Sequence, residues 1–310
     1  MNIFFQKLLT CLFLLSMPSI QAQLFPDYFV DFDTAMLCNP DDALSYQTAI
    51  EADAKNNNFF SYARAQYTKY IIEQPDYCQE PRIPKKIHQI WVGPNTPPVH
   101  FKTWQESLLK LHPDWEYKLW TDEDVKHLTM INQRHYDAET NYGAKADILR
   151  LELLNQFGGV YVDIDFKCIK PFDPLHHLCD FYIGFFQAIF MRGRARINNG
   201  IFAATQGHPL IKILIEEIGK NRDQYPDLTS WSGILARNGP DFVTRIIHTY
   251  LPQLEGINII FPSNYFYPWS GAPKNLQLHV QPETIAIHYF ASSWDPKVHD
   301  LPHLQQLKQR

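Results

Sequence analysis

The chain has no run of lysines and arginines: 28 basic residues face 33 acidic ones, for a formal charge of −5. A protein that holds nucleic acid by neutralising phosphates needs a basic stripe, so that class is excluded. No apolar run is suited to a permanent bilayer span; the one at residues 8–17 is about half the roughly 20 residues that such a helix requires. Cysteine is scarce, five in 310 residues, and the spacing does not suit a zinc site. There is no internal repeat and no low-complexity tract. What is present is a globular composition, 45% hydrophobic and 14% aromatic with seven Trp, enough for one large core. The aromatics read first as a packed core and second as faces for a carbohydrate.

Lys7, the apolar run, Pro18 and a polar stretch ending at Ala22 have the layout of a secretory signal peptide. Residues 1–22 are therefore expected to be removed and the chain exported, to the periplasm or outside the cell. If the segment stays, it acts as a signal anchor and gives the protein its membrane contact on the luminal side. Four cysteines lie beyond it, and an even number in an exported chain predicts the pairs Cys38 with Cys78 and Cys168 with Cys179.

Residues 23–80 read as a small helical appendage, with helices at about 41–55 and 58–73, stopped by Gln74-Pro75-Asp76. From Lys85 strands and helices alternate: strands at 87–92, 116–120 and 159–166, helices at 98–111 and 143–157. Further strands are expected at 181–188, 200–204, 256–261 and 284–289, with helices at 208–220 and 241–250. Repeated strand–helix units imply an α/β domain over 81–310, Rossmann-like, with a mostly parallel sheet flanked by helices. Ligands of such sheets sit at the carboxyl ends of the strands, which points to Trp91, Gly93, Trp120, Asp122, Asp163, Asp165 and the residues after Tyr289.

The densest stretch is 141–171, NYGAKADILRLELLNQFGGVYVDIDFKCIKP. An amphipathic helix carries Asp147 and Arg150 one turn apart, a Gly158-Gly159 turn follows, and a strand then delivers Asp163 and Asp165. Alternation puts Tyr161, Asp163 and Asp165 on one face, and two neighbouring carboxylates repel unless a cation or partner joins them. Hard oxygen ligands of this kind suit Mg²⁺ or Mn²⁺ against a phosphate. By itself the Asp-x-Asp also reads as a turn or cap. Asp147 and Arg150 also read as a surface ion pair, but the turn that carries them is otherwise apolar, with Ile148, Leu149, Leu151, Leu153 and Leu154 around it.

Several ordered motifs carry a resemblance. These are Ile83-Pro84-Lys85-Lys86-Ile87-His88-Gln89-Ile90-Trp91-Val92-Gly93, then Ala146-Asp147-Ile148-Leu149-Arg150, then Gly158-Gly159-Val160-Tyr161-Val162-Asp163-Ile164-Asp165. Asn199 ahead of His208-Pro209, the turn Asn238-Gly239-Pro240, and Ile287-His288-Tyr289 leading to Ala291-Ser292-Ser293-Trp294 complete the set. Over about 84–294 the chain resembles the glycosyltransferases with a DXD-containing sugar-binding region. That family includes the yeast initiating mannosyltransferase and is related to the large clostridial glucosylating toxins.

The resemblance implies a GT-A fold and retaining transfer of a hexose from a nucleotide sugar, a UDP-sugar or GDP-mannose, with Mn²⁺ or Mg²⁺. The acceptor it implies is a glycan, a lipid or a protein. It makes Asp165 a direct metal ligand, with Asp163 and His288 in the metal group. Asp163, Asp147 and Arg150 would hold the donor sugar and act in catalysis, beside Trp91 at the base, Asn199 near the sugar, and Ser292 and Trp294 at the diphosphate. Asn238 replaces the family's usual Thr, and Tyr289 stands where a second His or an apolar residue is common.

Two other readings compete. The strand also resembles the first motif of Asp-x-Asp phosphatases, but these need a small or hydroxyl residue after the second Asp, and Phe166-Lys167 follows here. A sugar-binding or inactive module on the same fold would not need Asp147, Arg150, Asp163 and Asp165 all to be intact.

Overall fold

The computed structural model describes residues 28–37, 39–55, 58–187, 195–224, 230–270 and 276–291. The centre is a six-stranded sheet of β1 (Lys86–Ile90), β2 (Glu116–Trp120), β3 (Gly159–Val162), β5 (Phe181–Phe185), β6 (Ile197–Ala204) and β7 (Asn258–Phe261), in the order β2-β1-β3-β6-β5-β7. The pairs β1–β2, β1–β3 and β5–β7 are parallel, and β6 alone runs against its neighbours. Every residue of β3, β5, β6 and β7 is buried, as expected when helices cover both faces of a mainly parallel sheet. The architecture is the expected α/β one.

Helix Tyr142–Phe157 is the internal pillar. Asn141 caps it, its side chain accepting from the Ala144 N–H at 3.0 Å, and the residues from Asp147 to Leu154 are all buried. Such a helix is buried all round rather than amphipathic. It packs on β1, β3 and β6 on one side and on helix Pro209–Gln224 on the other.

It ends at Gly158 (φ 61) and Gly159 (φ 98), where the chain reverses into β3. A Cβ at Gly159 would lie 2.5 Å from the Lys86 carbonyl oxygen, and one at Gly158 2.7 Å from the Gln206 nitrogen. Both the dihedrals and the space therefore require glycine.

The strand expected over 159–166 is interrupted. The Asp163 N–H donates to the Gly200 carbonyl at 2.7 Å, the last rung on β6, and the Phe166 N–H then turns back to the Asp163 carbonyl at 3.2 Å. The chain leaves the sheet as β4 (Phe166–Cys168), which pairs antiparallel with β10 (Ala286–His288). Asp163 and Asp165 thus stand on a tight turn, not along one strand face, and the register His288 opposite Phe166 carries the late histidine to that turn. Two short strands, β8 (Trp269–Ser270) and β9 (Gln277–Leu278), form a separate ribbon.

Helices Phe32–Met36, Ala43–Ala54 and Phe59–Tyr67, the last continued by a π-helical turn Thr68–Glu73, precede the sheet. Phe32, Phe59 and Phe60 pack on Phe185, and the Tyr67 and Tyr265 hydroxyls lie 2.6 Å apart, so these helices share the core of the sheet. Asn58 sits at the expected start of its helix with φ 54, but its side chain caps no backbone N–H. Asp53 instead accepts from the Phe60 N–H at 2.8 Å.

The expected disulfides do not form. Cys78, Cys168 and Cys179 are free thiols, and Cys38 lies outside the described residues. Cys168 and Cys179 are both buried, Cys168 Sγ donating to the Lys170 carbonyl at 3.4 Å, and burial pushes both thiols up, away from reactive thiolate. The leader expected at 1–22 also lies outside the described residues. No helix among the described residues is long and apolar enough to cross a membrane.

Candidate active site

A cleft of about 220 Å³ opens at the carboxyl ends of β1 and β3. Trp91 to Asn95 form one wall with Tyr142. Asp147, Arg150 and Tyr161 form the floor, and the Asp163–Asp165 turn, Asn198, Asn199, His288 and Phe290 line the opposite side. Leu235 and Pro240 close a further edge.

Arg150 is buried and organises the floor. Its Nε donates to the Ala146 carbonyl (3.1 Å) and Nη1 to the Asn199 carbonyl (2.6 Å). Nη2 lies 3.0 Å from Asp147 Oδ1, and Nη1 lies 3.3 Å from Asp163 Oδ1. Its guanidinium stands over the Tyr161 ring at 4.3 Å, and the Tyr161 hydroxyl donates to Asp163 Oδ1 at 2.6 Å. A guanidinium has five N–H donors, so this one is already committed to protein and fixes the two carboxylates in place.

Asn199 Nδ2 also donates to Asp147 Oδ1, at 2.9 Å. Burial, with repulsion from Asp163 added and Arg150 opposing, raises the Asp147 carboxyl to about 6, so it remains mostly ionised at pH 7.

On the turn, the Ala291 N–H donates to Asp165 Oδ2 (2.7 Å), and His288 Nε2 lies 3.0 Å from Asp165 Oδ1 and 3.8 Å from Asp163 Oδ2. The His288 ring stacks on Phe166 with centroids 4.5 Å apart. Burial works against ionisation of both carboxyls. For Asp165 the charge and hydrogen bond of His288 and the Ala291 N–H prevail, and its pKa falls. Burial, reinforced by Asp165, raises Asp163 against the pull of Arg150.

Three carboxylates facing one guanidinium leave the cleft with surplus negative charge. Ligand atoms of Asp163, Asp165 and His288 lie within 4.8 Å of one another. Two carboxylates and an imidazole fit a divalent cation of the Mn²⁺ kind, and oxygen ligands alone would also take Mg²⁺. His288 completes that set in the tautomer that carries its proton on Nδ1, an atom buried without a protein partner.

The expected residues Trp91, Asp147, Arg150, Asp163, Asp165, Asn199 and His288 all line this one cleft. The Trp91 indole N–H donates to the Asn95 carbonyl at 2.6 Å, which folds the loop after β1 into a wall. Ser292 and Trp294 lie outside the described residues.

Two residues expected at strand ends do other work. Trp120 is buried and donates from Nε1 to His88 Nδ1 (3.2 Å), whereas Asp122 accepts from the Gly93 N–H (2.7 Å) and so braces the wall from behind. Asn238 is also buried: together with Arg237 (3.0 and 2.8 Å) and Arg222 it donates to the fully buried Glu139, at 3.1 Å, which anchors the turn leading to Pro240.

Among the cleft residues to which the sequence reading gave no role are Tyr161 and Phe290. Tyr161 could have been found, because alternation places it on the face of Asp163. Phe290 fell among the residues after Tyr289 to which the strand-end rule pointed, without a role of its own. It has φ 50, a left-handed backbone that costs a bulky residue about 1–2 kcal/mol, and it lies between His288 and Ala291, both of which hold Asp165.

The family model described as "Glycosyltransferase sugar-binding region containing DXD motif" matches residues 98–181. Inositol phosphoceramide mannosyltransferase 1 of Schizosaccharomyces pombe is 30% identical over 232 residues, 68% of this chain and 69% of that protein. Inositol phosphoceramide mannosyltransferase 2 of the same yeast is 30% identical over 187 residues, 58% of this chain and 50% of its own length. The chain spans about half the length of several such relatives. Among solved structures, the PaToxG glycosyltransferase is similar at a TM-score of 0.46 and 20% identity, over 69% of this chain and 81% of that one, too remote to bear on the site.

Proposed function

The chain belongs to the glycosyltransferase family whose sugar-binding region contains the DXD motif, and from that premise we propose that it is a metal-dependent, retaining hexosyltransferase using a nucleotide-diphosphate sugar. The observation that carries this reading is the convergence of Asp163, Asp165 and His288 beside the Arg150–Asp147 pair in one cleft. The names of the yeast relatives favour mannose, hence GDP-mannose as donor, and a phosphoinositol-bearing lipid as acceptor. The layout of residues 1–22 favours an exported or luminal site of action.

Asp163, Asp165 and His288 would hold the cation, and Trp91 would wall the nucleotide. A bound cation supplies positive charge to the diphosphate as it leaves. Asp147 accepts hydrogen bonds from donor hydroxyls, and Arg150 keeps both Asp147 and Asp163 aimed while adding its own charge. The bond from the anomeric carbon to the β-phosphate oxygen breaks, the acceptor oxygen bonds that carbon from the same face, and the acceptor's proton passes to the departing phosphate. No carboxylate is assigned as a nucleophile, so a trapped glycosyl-enzyme on Asp or Glu would contradict this route.

The test is purified protein with Mn²⁺ and a panel of UDP- and GDP-sugars, read by released nucleoside diphosphate. We expect release from one donor, its loss on chelation, its return with Mn²⁺, and a fall of about a hundredfold or more in Asp165→Asn. Phosphate released from monoesters instead would favour the phosphatase reading, and no turnover with retained sugar binding would favour the module.

A further inference from the structure

Among the described residues, Asn58 and Phe290 are the non-glycine positions with positive φ. Asparagine tolerates that region, whereas a phenylalanine there is unfavourable. The backbone has an evident reason to turn at Phe290: the turn brings the Ala291 N–H to 2.7 Å from Asp165 Oδ2 while His288 Nε2 stays 3.0 Å from Oδ1. Glycine would allow the same turn without strain, so the turn explains the dihedral but not the phenylalanine.

The side chain supplies the missing reason. The Phe290 ring forms part of the cleft wall. It lies 4.2 Å from the His288 ring and is backed by Phe186 (6.1 Å, 9°) and Tyr267 (6.2 Å, 27°), which lie nearly parallel to it. A ring buttressed in this way is a rigid flat surface next to the carboxylate turn. The C–H face of a pyranose is apolar and matches such a surface.

We propose that Phe290 is a specificity-determining residue, the platform against which the transferred hexose packs beside the Asp163–Asp165 turn. This rests on the nucleotide-sugar reading above. The ring contributes to binding of the sugar and not to binding of the nucleoside diphosphate.

The test compares wild type with Phe290→Gly, which relieves the backbone, Phe290→Leu, which keeps apolar bulk without a flat face, and Phe290→Tyr, which keeps the face. Binding of the nucleoside diphosphate alone and KM for the nucleotide sugar are measured with Mn²⁺ on each. We expect nucleoside diphosphate affinity to stay within about twofold, KM for the nucleotide sugar to rise about ten- to a hundredfold in Phe290→Gly and Phe290→Leu, and Phe290→Tyr to restore it. Wild-type KM in Phe290→Gly or Phe290→Leu overturns the proposal, as does an equal loss of nucleoside diphosphate affinity, which would make the residue a support for the turn. Should Phe290→Gly fail to fold, Phe290→Leu against Phe290→Tyr decides alone. A wild-type protein that binds no nucleotide sugar overturns the functional reading as well, an outcome distinct from a wild type that binds and a variant that binds equally.

Discussion

At the scale of single residues, the cleft depends on groups whose charge is held by neighbours rather than by water. Asp163 shows how little slack there is. A Cβ at Gly200 would come within 2.8 Å of Asp163 Oδ2 and 3.2 Å of the Asn198 Oδ1. Gly200→Ala is therefore expected to push Asp163 off the cation position and lower turnover about tenfold or more, as misplacement by a fraction of an ångström does at preorganised sites. Steady-state rates with Mn²⁺ titration check it, and an unchanged metal requirement with wild-type turnover would refute it. Asp147, Arg150, Asp163 and Asp165 were legible because charged residues in apolar stretches need partners. Phe290 was legible only as one of the residues after Tyr289; its left-handed backbone was not, because nothing local marks it.

Among the elements, the Gly158–Gly159 reversal sets where β3 begins, and with it the place of the Asp163–Asp165 turn. Gly159→Ala meets both a positive φ and the Lys86 carbonyl at 2.5 Å. We expect it to destabilise the fold by about 2–4 kcal/mol, visible as a lower denaturant midpoint in an equilibrium unfolding experiment. The glycine pair was plain in the sequence as a turn. The break after Val162 was not, since period-2 alternation continues through Asp165 and only the rung to Gly200 and the return bond from Phe166 show where the sheet is left. Pairing of β4 with β10 over a separation of more than a hundred residues, which brings in His288, has no local signature.

For the whole molecule, buried histidines tie stability to pH. His88 accepts from the Trp120 indole N–H on Nδ1, so its proton sits on Nε2, which donates to the Gly158 carbonyl at 2.9 Å. A second proton would put two donors face to face. Burial lowers His88 to about 4, and burial lowers His176 to about 3. The unfolded chain takes up these protons near pH 6.5 while the folded one does not, so stability is full above about 6.5 and declines as pH falls towards 4, by roughly 3 kcal/mol for His88 alone. Asp147, raised to about 6, works the other way, but the two histidines outweigh it, so urea midpoints at pH 7, 5.5 and 4.5 should fall in that order, and equal midpoints would count against it.

What the sequence by itself determined is the α/β succession and the Asp-x-Asp with its Asp147–Arg150 partner, because each is read from local patterns, and the family resemblance, because ordered motifs from Ile83 to Trp294 carry it. Only the tertiary structure decided that the two aspartates stand on a turn, that Phe290 joins the expected His288 beside them, that Asn238 is spent on Glu139, and that Cys168 and Cys179 stay apart as thiols. Those outcomes depend on which distant strands pair and which side chains the core encloses, and neither is set by neighbours along the chain.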